Sequence, residues 1–205
     1  MSIIHYFSKD SHKRALFIFN LIAPFYKLID RYLNESFDEA AEILSKEIEL
    51  NGLTILDIGT GTGAWASKFS KYKPANITGV DFSKKMITIA KKNYSNITFS
   101  QKNAEDLKEI PNQSFDIVTS SYVLHGMSKD ERKIVLDEMK RVSKKYVIIH
   151  DFIGTTTLLV RFLEFLERSD YPYFKDNFIK EMHDNFSSVK KIEVKDGAGL
   201  YIGEL

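Results

Sequence analysis

The sequence predicts an α/β protein. Its expected core is an open seven-stranded sheet, five parallel strands plus a C-terminal antiparallel hairpin, with helices on both faces and an N-terminal helical cap. Three observations predict it. Strand-like and helix-like segments alternate five times between residues 53 and 151, as parallel strands joined by crossover helices do. A run of alternate glycines, Gly59, Gly61 and Gly63, follows the first strand and opens a helix. Two alternating runs, Lys190–Lys195 and Leu200–Glu204, flank Asp196-Gly197-Ala198-Gly199, which signals a hairpin.

Each element has its own pattern. Residues 1–50 read as helical throughout. Phe17, Leu21, Phe25, Leu28 and Ile29 fall at helical spacing, and Phe37, Ala40, Ala41, Leu44 and Ile48 do so again before Asn51-Gly52 ends the run. Leu53–Asp57 is a short apolar strand, and Ala64–Lys73 a helix that stops before Pro74. Asn76–Val80 is the second strand, and Ser83–Tyr94 a helix with Ser83 at its N-cap. Ile97–Gln101, Phe115–Ser120 and Tyr146–Asp151 are the next three strands, the last two apolar enough for burial on both faces. Lys129–Val142 is an amphipathic helix whose expected inner face carries Ile134, Val135, Met139 and Val142. Helices near 156–168 and 175–186 precede the hairpin.

Composition narrows the function classes. The 205 residues suit a single domain, 1–205, with a helical cap over 1–50 and an α/β core over 51–205. Apolar residues make up 43% and aromatics 13%, too many for a disordered chain. Lys and Arg number 29 against 28 Asp and Glu, so a nucleic-acid partner is not expected. Seven of these cations, Lys129, Arg132, Lys133, Lys140, Arg141, Lys144 and Lys145, alternate with acids and read as a solvated helix face. Cysteine is absent, which removes disulfides, thiolate nucleophiles and cysteinyl metal centres. His5, His12 and His183 are scattered without ligand spacing, so no metal site is expected. No apolar run is long enough for a membrane span. The apolar stretch Ala15–Tyr26 leads into Lys27, Asp30 and Arg31 rather than a cleavage site, so a cytoplasmic protein is expected.

The chemistry concentrates in two segments. In Ile55-Leu-Asp-Ile-Gly-Thr-Gly-Thr-Gly63 the glycines let the chain turn sharply and let a ligand approach the backbone without meeting a Cβ. The following helix start favours an anionic group. Asp57 stands two residues before the first glycine, where an acid can receive an ammonium or order the loop. In Gly79-Val-Asp81-Phe-Ser83, Asp81 ends the second strand, where open α/β folds place an acid on ribose hydroxyls. Its alternative role is to cap the next helix. Together the segments imply a nucleoside-containing cofactor. Gly59-x-Gly61-x-x-Ala64 also satisfies a loose dinucleotide pattern, so an NAD-dependent oxidoreductase is a rival reading. Asp57 and the closing hairpin argue against it.

With Ser114-Phe-Asp-Ile-Val-Thr-Ser-Ser121 added, the sequence resembles the class I S-adenosylmethionine-dependent methyltransferases. It is most similar to their type 11 small-molecule group, which includes the ubiquinone/menaquinone-biosynthesis C-methyltransferases. The resemblance covers residues 15–152 and, more weakly, the closing strands. It implies a Rossmann-like fold and S-adenosylmethionine as cofactor. Asp57, Gly59, Thr60, Gly61 and Gly63 would hold its methionine part, Asp81 would hold its ribose, and Phe82 beside it would also touch the cofactor. Met86 matches a position that packs on adenine. Asn103-Ala104 begins the third motif, where Asn103 replaces the usual acid. Ser120 lies in the fourth. Phe19-Asn-x-Ile-Ala-x-x-Tyr26 is similar to the family's cap helix, with Tyr26 over the cofactor. The usual Lys-Pro-Gly-Gly turn before the fifth strand is missing, and Ser143-Lys-Lys145 runs straight on.

The implied partner is a small-molecule methyl acceptor; the oligomeric state is left open. A non-catalytic S-adenosylmethionine binder is a rival of another class. His125, near the end of the fourth strand, is the candidate base, with hydrogen bonding to a loop carbonyl as the alternative. His150 and Asp151 end the fifth strand, where Asp151 is expected to order a loop, with action as a base as the alternative. Trp65 is expected to pack between helix and sheet. The stretch Phe152–Tyr173 reads as an apolar pocket wall or a dimer contact.

Overall fold

In this computed structural model, backbone is described for residues 26–153 and 170–205, with side chains from residue 33 except Asp196. The chain runs α1 (Tyr26–Glu47), β1 (Thr54–Ile58), α2 (Ala64–Lys68, continued by a 3-10 turn over Phe69–Tyr72), β2 (Asn76–Asp81), α3 (Lys84–Asn93), β3 (Thr98–Gln101), β4 (Phe115–Ser121), α4 (Lys129–Val142), β5 (Ser143–Phe152), α5 (Tyr171–Asn185), β6 (Ser188–Glu193) and β7 (Ala198–Glu204). The sequence-expected helix near 156–168 and the residues before 26 lie outside the described residues.

The seven strands form one sheet in the order β3-β2-β1-β4-β5-β7-β6. β1 to β5 pair in parallel, and β7 runs antiparallel to both β5 and β6. Strand order reverses between β1 and β4. At such a switch point the crossovers leave to opposite faces and open a crevice beyond the carboxyl ends of the strands.

Side-chain alternation divides the core into two layers. Ile55, Ile77, Ile117, Ile148 and Leu200 face α1, α2 and α3, meeting Phe37, Leu44, Trp65, Phe69 and Ala90. Leu56, Val80, Val118, Val147 and Tyr201 face α4 and α5, meeting Leu136, Met139, Phe174 and Phe178. Local signals set the helix ends. Ser83 Oγ accepts from the Met86 N–H at the start of α3. Ser128 and Glu131 form a capping box on α4. No helix among the described residues is long and apolar enough to cross a membrane.

The structure corrects two expectations on α4. Ile134 is 48% exposed, and the buried face is Val135, Leu136, Met139 and Val142. Arg132 belongs to no solvated face: it is fully buried. Its Nε and Nη2 donate to the two carboxylate oxygens of Glu181 at 2.9 Å each, and Nη1 reaches Asp170 at 3.1 Å. Met127 O accepts from Nη1 as well, and the guanidinium lies over the rings of Tyr173 and Phe174. The guanidinium therefore fastens α5 to α4. Other bounds shift by a few residues. β5 starts at Ser143, because Ser143 pairs with Phe115 across a bulge, and α5 starts at Tyr171.

Candidate cofactor and acceptor site

β1 delivers the chain into the glycine loop at the switch point. Gly59, Gly61 and Gly63 all take positive φ, at 69°, 53° and 82°. At Gly59 the need is double, because a Cβ would also stand 2.5 Å from Val123 Cγ2. Gly59→Ala is therefore expected to lower stability by roughly 1–3 kcal/mol and to displace the loop. A thermal melt and a titration with S-adenosylhomocysteine check this together.

Backbone and carboxylate bonds hold the loop against β2. The Thr60 N–H donates to Val80 O at 2.9 Å. Asp81 Oδ2 accepts from the Gly61 N–H at 2.9 Å, and Oδ1 from the Ser83 N–H at 2.8 Å. Burial raises the Asp81 carboxyl above its usual range, and these two N–H groups work against the shift. The capping role itself falls to Ser83. Asp81 thus ties the loop to the strand, and each oxygen keeps a second lone pair for another donor.

Asp57 is different. It is 1% exposed, and neither carboxylate oxygen has a hydrogen-bond partner; the neighbouring Thr60 Oγ1 has none either. Burial pushes the Asp57 carboxyl up to about 7. The nearby Thr60 hydroxyl pulls it down without hydrogen-bond geometry, and the Asp81 charge adds to the rise. A buried carboxylate and hydroxyl left unpaired side by side are costly unless a ligand satisfies them. A cationic donor such as an α-ammonium fits both, so the residues present suit the methionine end of S-adenosylmethionine.

The other sequence-expected residues lie around this crevice or under it. Met86 is buried on the first turn of α3 yet belongs to neither core layer. Phe82 is half-buried, and its carbonyl accepts from Gln101 Nε2 at 2.9 Å. Asn103 is exposed; its Oδ1 accepts from the Glu105 N–H at 3.2 Å, and Ala104 beside it is half-buried. Ser120 is fully buried, its hydroxyl donating to Ile58 O at 2.8 Å, which ties β4 to β1. Tyr26 is the first residue of α1, and its side chain lies outside the described residues.

A second cluster stands beyond β4 and β5. His125 sits in a 3-10 turn, Leu124–Gly126, and its Nδ1 lies 2.7 Å from Asp151 Oδ1. Asp151 is fully buried and also accepts from the N–H groups of Phe152, at 2.8 Å, and His125, at 3.3 Å. It orders the loop, as expected, and grips an imidazole besides. His150 has another role. It is buried and stacks on Trp65 at 5.0 Å. Ser121 Oγ lies 2.9 Å from its Nδ1 and Ser36 Oγ 3.4 Å from its Nε2. Burial lowers its pKa to about 4, against the opposing pull of Asp151, so it is neutral near pH 7. It joins α1 to the sheet. Trp65 packs as expected, and its Nε1 donates to Thr119 Oγ1 at 3.1 Å.

Sequence reasoning missed three features here. His125 and Asp151 were named singly, because only the register of β5 beside β4, which sets Ser121 opposite His150, brings them together, and the sequence does not give that register. Tyr122 takes a left-handed φ of 52°, for which the sequence carries no signal. The buried Arg132 cluster is the third.

Comparison with known proteins agrees with this geometry. Residues 55–146 match the family described as Methyltransferase domain. An uncharacterized methyltransferase, YcgJ, of Bacillus subtilis is 32% identical over 178 residues, covering 80% of this chain and 69% of that protein. A demethylmenaquinone methyltransferase of Thermotoga maritima is 33% identical over 136 residues, 65% of this chain and 58% of that protein. Among solved structures, an S-adenosylmethionine-dependent methyltransferase of Aquifex aeolicus aligns with a TM-score of 0.66 at 20% identity, covering 87% of this chain and 95% of that one. The magnesium protoporphyrin IX methyltransferase of Synechocystis, solved with S-adenosylhomocysteine, aligns at 0.61 and 18% identity, covering 83% and 82%. The glycine loop at the switch point, the unpaired acid before it and these likenesses converge: the chain belongs to the class I S-adenosylmethionine-dependent methyltransferases.

Proposed function

We propose that this chain transfers the methyl group of S-adenosylmethionine to a small organic acceptor held beyond the carboxyl ends of β4 and β5. The observation that carries this reading is the unpaired Asp57–Thr60 pair at the floor of the glycine loop. Asp57 and Thr60 take the ammonium, the loop backbone from Gly59 to Gly63 lies along the methionine part, and the remaining lone pairs of Asp81 accept from the ribose hydroxyls. Phe82, Met86, Asn103 and Ala104 surround the base, and Tyr26 is assigned to the cofactor from its match to the cap-helix motif alone. His125 stands on the acceptor side.

The cofactor supplies a methyl already activated on a sulfonium. The chain's work is to position and to exclude water, and such positioning can account for about 7–11 kcal/mol of a barrier. Val123, packed against Gly59, joins the cofactor loop directly to the turn that carries His125.

Titration with S-adenosylhomocysteine, followed by a labelled-methyl screen over small acceptors, tests the reading. Asp81→Ala is expected to weaken S-adenosylhomocysteine at least tenfold, about 1.4 kcal/mol. Unchanged affinity would remove Asp81 from the ribose site.

A further inference from the structure

Between β3 and β4, residues 102–114 form neither helix nor strand. Bonds within this connection are few: the Asp106 N–H donates to Asn103 O at 3.1 Å, and the Ile110 N–H to Leu107 O at 2.7 Å. A side chain of α4 supplies the rest. Arg141 is half-buried, and each of its five N–H donors is used. Nε donates to Glu138 Oε1 at 2.7 Å and Nη2 to Glu138 Oε2 at 2.8 Å. Nη1 donates to Ile110 O and to Asn112 Oδ1, both at 2.8 Å, and Nη2 also to Leu107 O at 2.9 Å. Glu138 Oε2 accepts the Leu107 N–H at 2.8 Å. Both backbone groups of Leu107 are thus fastened to the Glu138–Arg141 pair, while the side chains of Leu107 and Ile110 are buried in the layer under α4. A surface ion pair alone contributes little to stability; this one directs its donors at loop carbonyls.

The front of the same connection reaches the cofactor crevice. Asp81 of β2 pairs with Gln101 of β3, and the Lys102 N–H donates to Asp81 O at 3.1 Å, so Asn103 follows at the carboxyl edge. Along that edge the candidate groups run in order: Asp57 on β1, Asp81 on β2 and Asn103 past β3. A ligand whose ammonium meets Asp57 and whose ribose meets Asp81 carries its base toward Asn103. The turn Asn103–Asp106 aims that residue. Its Oδ1 accepts the Glu105 N–H at 3.2 Å, which settles which end of the amide is oxygen and leaves a second lone pair there to accept from an amino group. Leu107, the residue gripped by Glu138 and Arg141, comes directly after this turn.

Resting on the cofactor placement proposed above, we propose that Arg141 is the positioning residue for the adenine of S-adenosylmethionine: without touching the base, it fixes with Glu138 the height of the Asn103–Ala104 turn that reads it. A lysine cannot replace it. Lysine keeps the charge opposite Glu138, but three donors on one ammonium cannot span two carboxylate oxygens, two carbonyls and an amide oxygen. The turn would then stay tethered but lose its register with β2.

The test is base selectivity, which a purely stabilising staple would leave alone. S-adenosylhomocysteine and S-inosylhomocysteine are titrated into the full chain; the second carries a carbonyl oxygen where adenine has its amino group. Wild type is expected to prefer the adenine ligand about tenfold, the scale of one well-placed hydrogen bond. Arg141→Lys is expected to weaken S-adenosylhomocysteine about tenfold and S-inosylhomocysteine less than twofold, so that the preference disappears. Equal weakening of both ligands, or weakening of neither, overturns the proposal, as does a wild type that prefers adenine less than twofold. If Arg141→Lys does not fold, Glu138→Gln decides by the same ratio: it keeps an acceptor for the Leu107 N–H and loosens the hold on Arg141, so the preference should fall at least threefold, and an unchanged preference contradicts the proposal. Asp81→Ala separates the two levels of inference. The ribose is common to both ligands, so this variant should weaken both equally and leave their ratio as in wild type. If it weakens neither, or if wild type binds neither ligand, the cofactor placement falls and the role of Arg141 with it; if it weakens both while Arg141→Lys leaves the ratio intact, only the role of Arg141 falls.

Discussion

Asp57→Asn is expected to stabilise the ligand-free protein while abolishing its hold on the cofactor. Folding takes this carboxyl from a normal value of 3.8 to about 7, chiefly because burial disfavours its charge. At pH 8 the charge is present in both folded and unfolded chains, and only the folded one carries it without a partner. An asparagine of the same shape has no charge to desolvate, so the gain is on the order of 2–4 kcal/mol at pH 8. The pH dependence has a definite sign. Between about pH 4 and pH 7 the unfolded chain has released the Asp57 proton and the folded chain has kept it. Wild-type stability therefore falls as pH rises through that window. Asp81, also raised by burial, contributes in the same direction in both proteins. The variant should show a shallower fall, and thermal melts at pH 5 and 8 measure the difference. Affinity moves the other way: losing a charged acceptor for an ammonium is expected to cost on the order of 100-fold in S-adenosylhomocysteine binding. Stability raised and ligand lost by one substitution is the signature of a residue kept for binding.

Arg132→Met is expected to be the most damaging substitution outside the cofactor loop. It leaves Glu181, 9% exposed, and the half-buried Asp170 without their cation. Burial works against the guanidinium charge, but Glu181 and Asp170 more than offset it and raise its pKa. Removing one partner of such a buried cluster costs about 3–5 kcal/mol, because an uncompensated charge stays behind. For a chain of this size that is a drop in Tm of roughly 10 °C. The damage should centre on α5, which brings Tyr171 against Phe152 and Phe174 toward His125. Adding Glu181→Leu to Arg132→Met is expected to recover much of the loss, since it removes the more deeply buried of the two carboxylates and leaves only the half-buried Asp170 unpaired. A double variant no better than the single one would show that the guanidinium acts through its rings and the Met127 carbonyl instead.

Most of the sheet was legible because its strands are buried on both faces and bounded by turn residues. β4 emerged as Phe115–Ser121 and α4 as Lys129–Val142, within a residue of their expected bounds. The Ser83 cap was legible for the same local reason. What failed was nonlocal. Nothing near Arg132 announces Glu181, 49 residues away, so a charge among charges read as solvated. Ile134 read as core because helical periodicity leaves the angular edge of a face undetermined until the sheet beneath it is known. Lys144 and Lys145 obscured the start of β5, where they pass exposed beside Asp116. At the site, residue types were readable and pairings were not. Asp57 announced a ligand by its place before the glycines, whereas the grip of Asp151 on His125 depends on how β5 lies beside β4.

The most direct measurement is isothermal titration of S-adenosylhomocysteine into the full chain at pH 7, repeated in two buffers of different ionisation enthalpy. An ammonium docking on a half-protonated Asp57 should expel roughly half a proton per site, with affinity rising from pH 6 to 8 and levelling above. Micromolar binding with that proton release is the expected result, and NAD should not bind. Binding of NAD alone, or of S-adenosylhomocysteine with no proton release at any pH between 6 and 8, would contradict the assignment of the glycine loop and its buried acid to the methionine end of the cofactor.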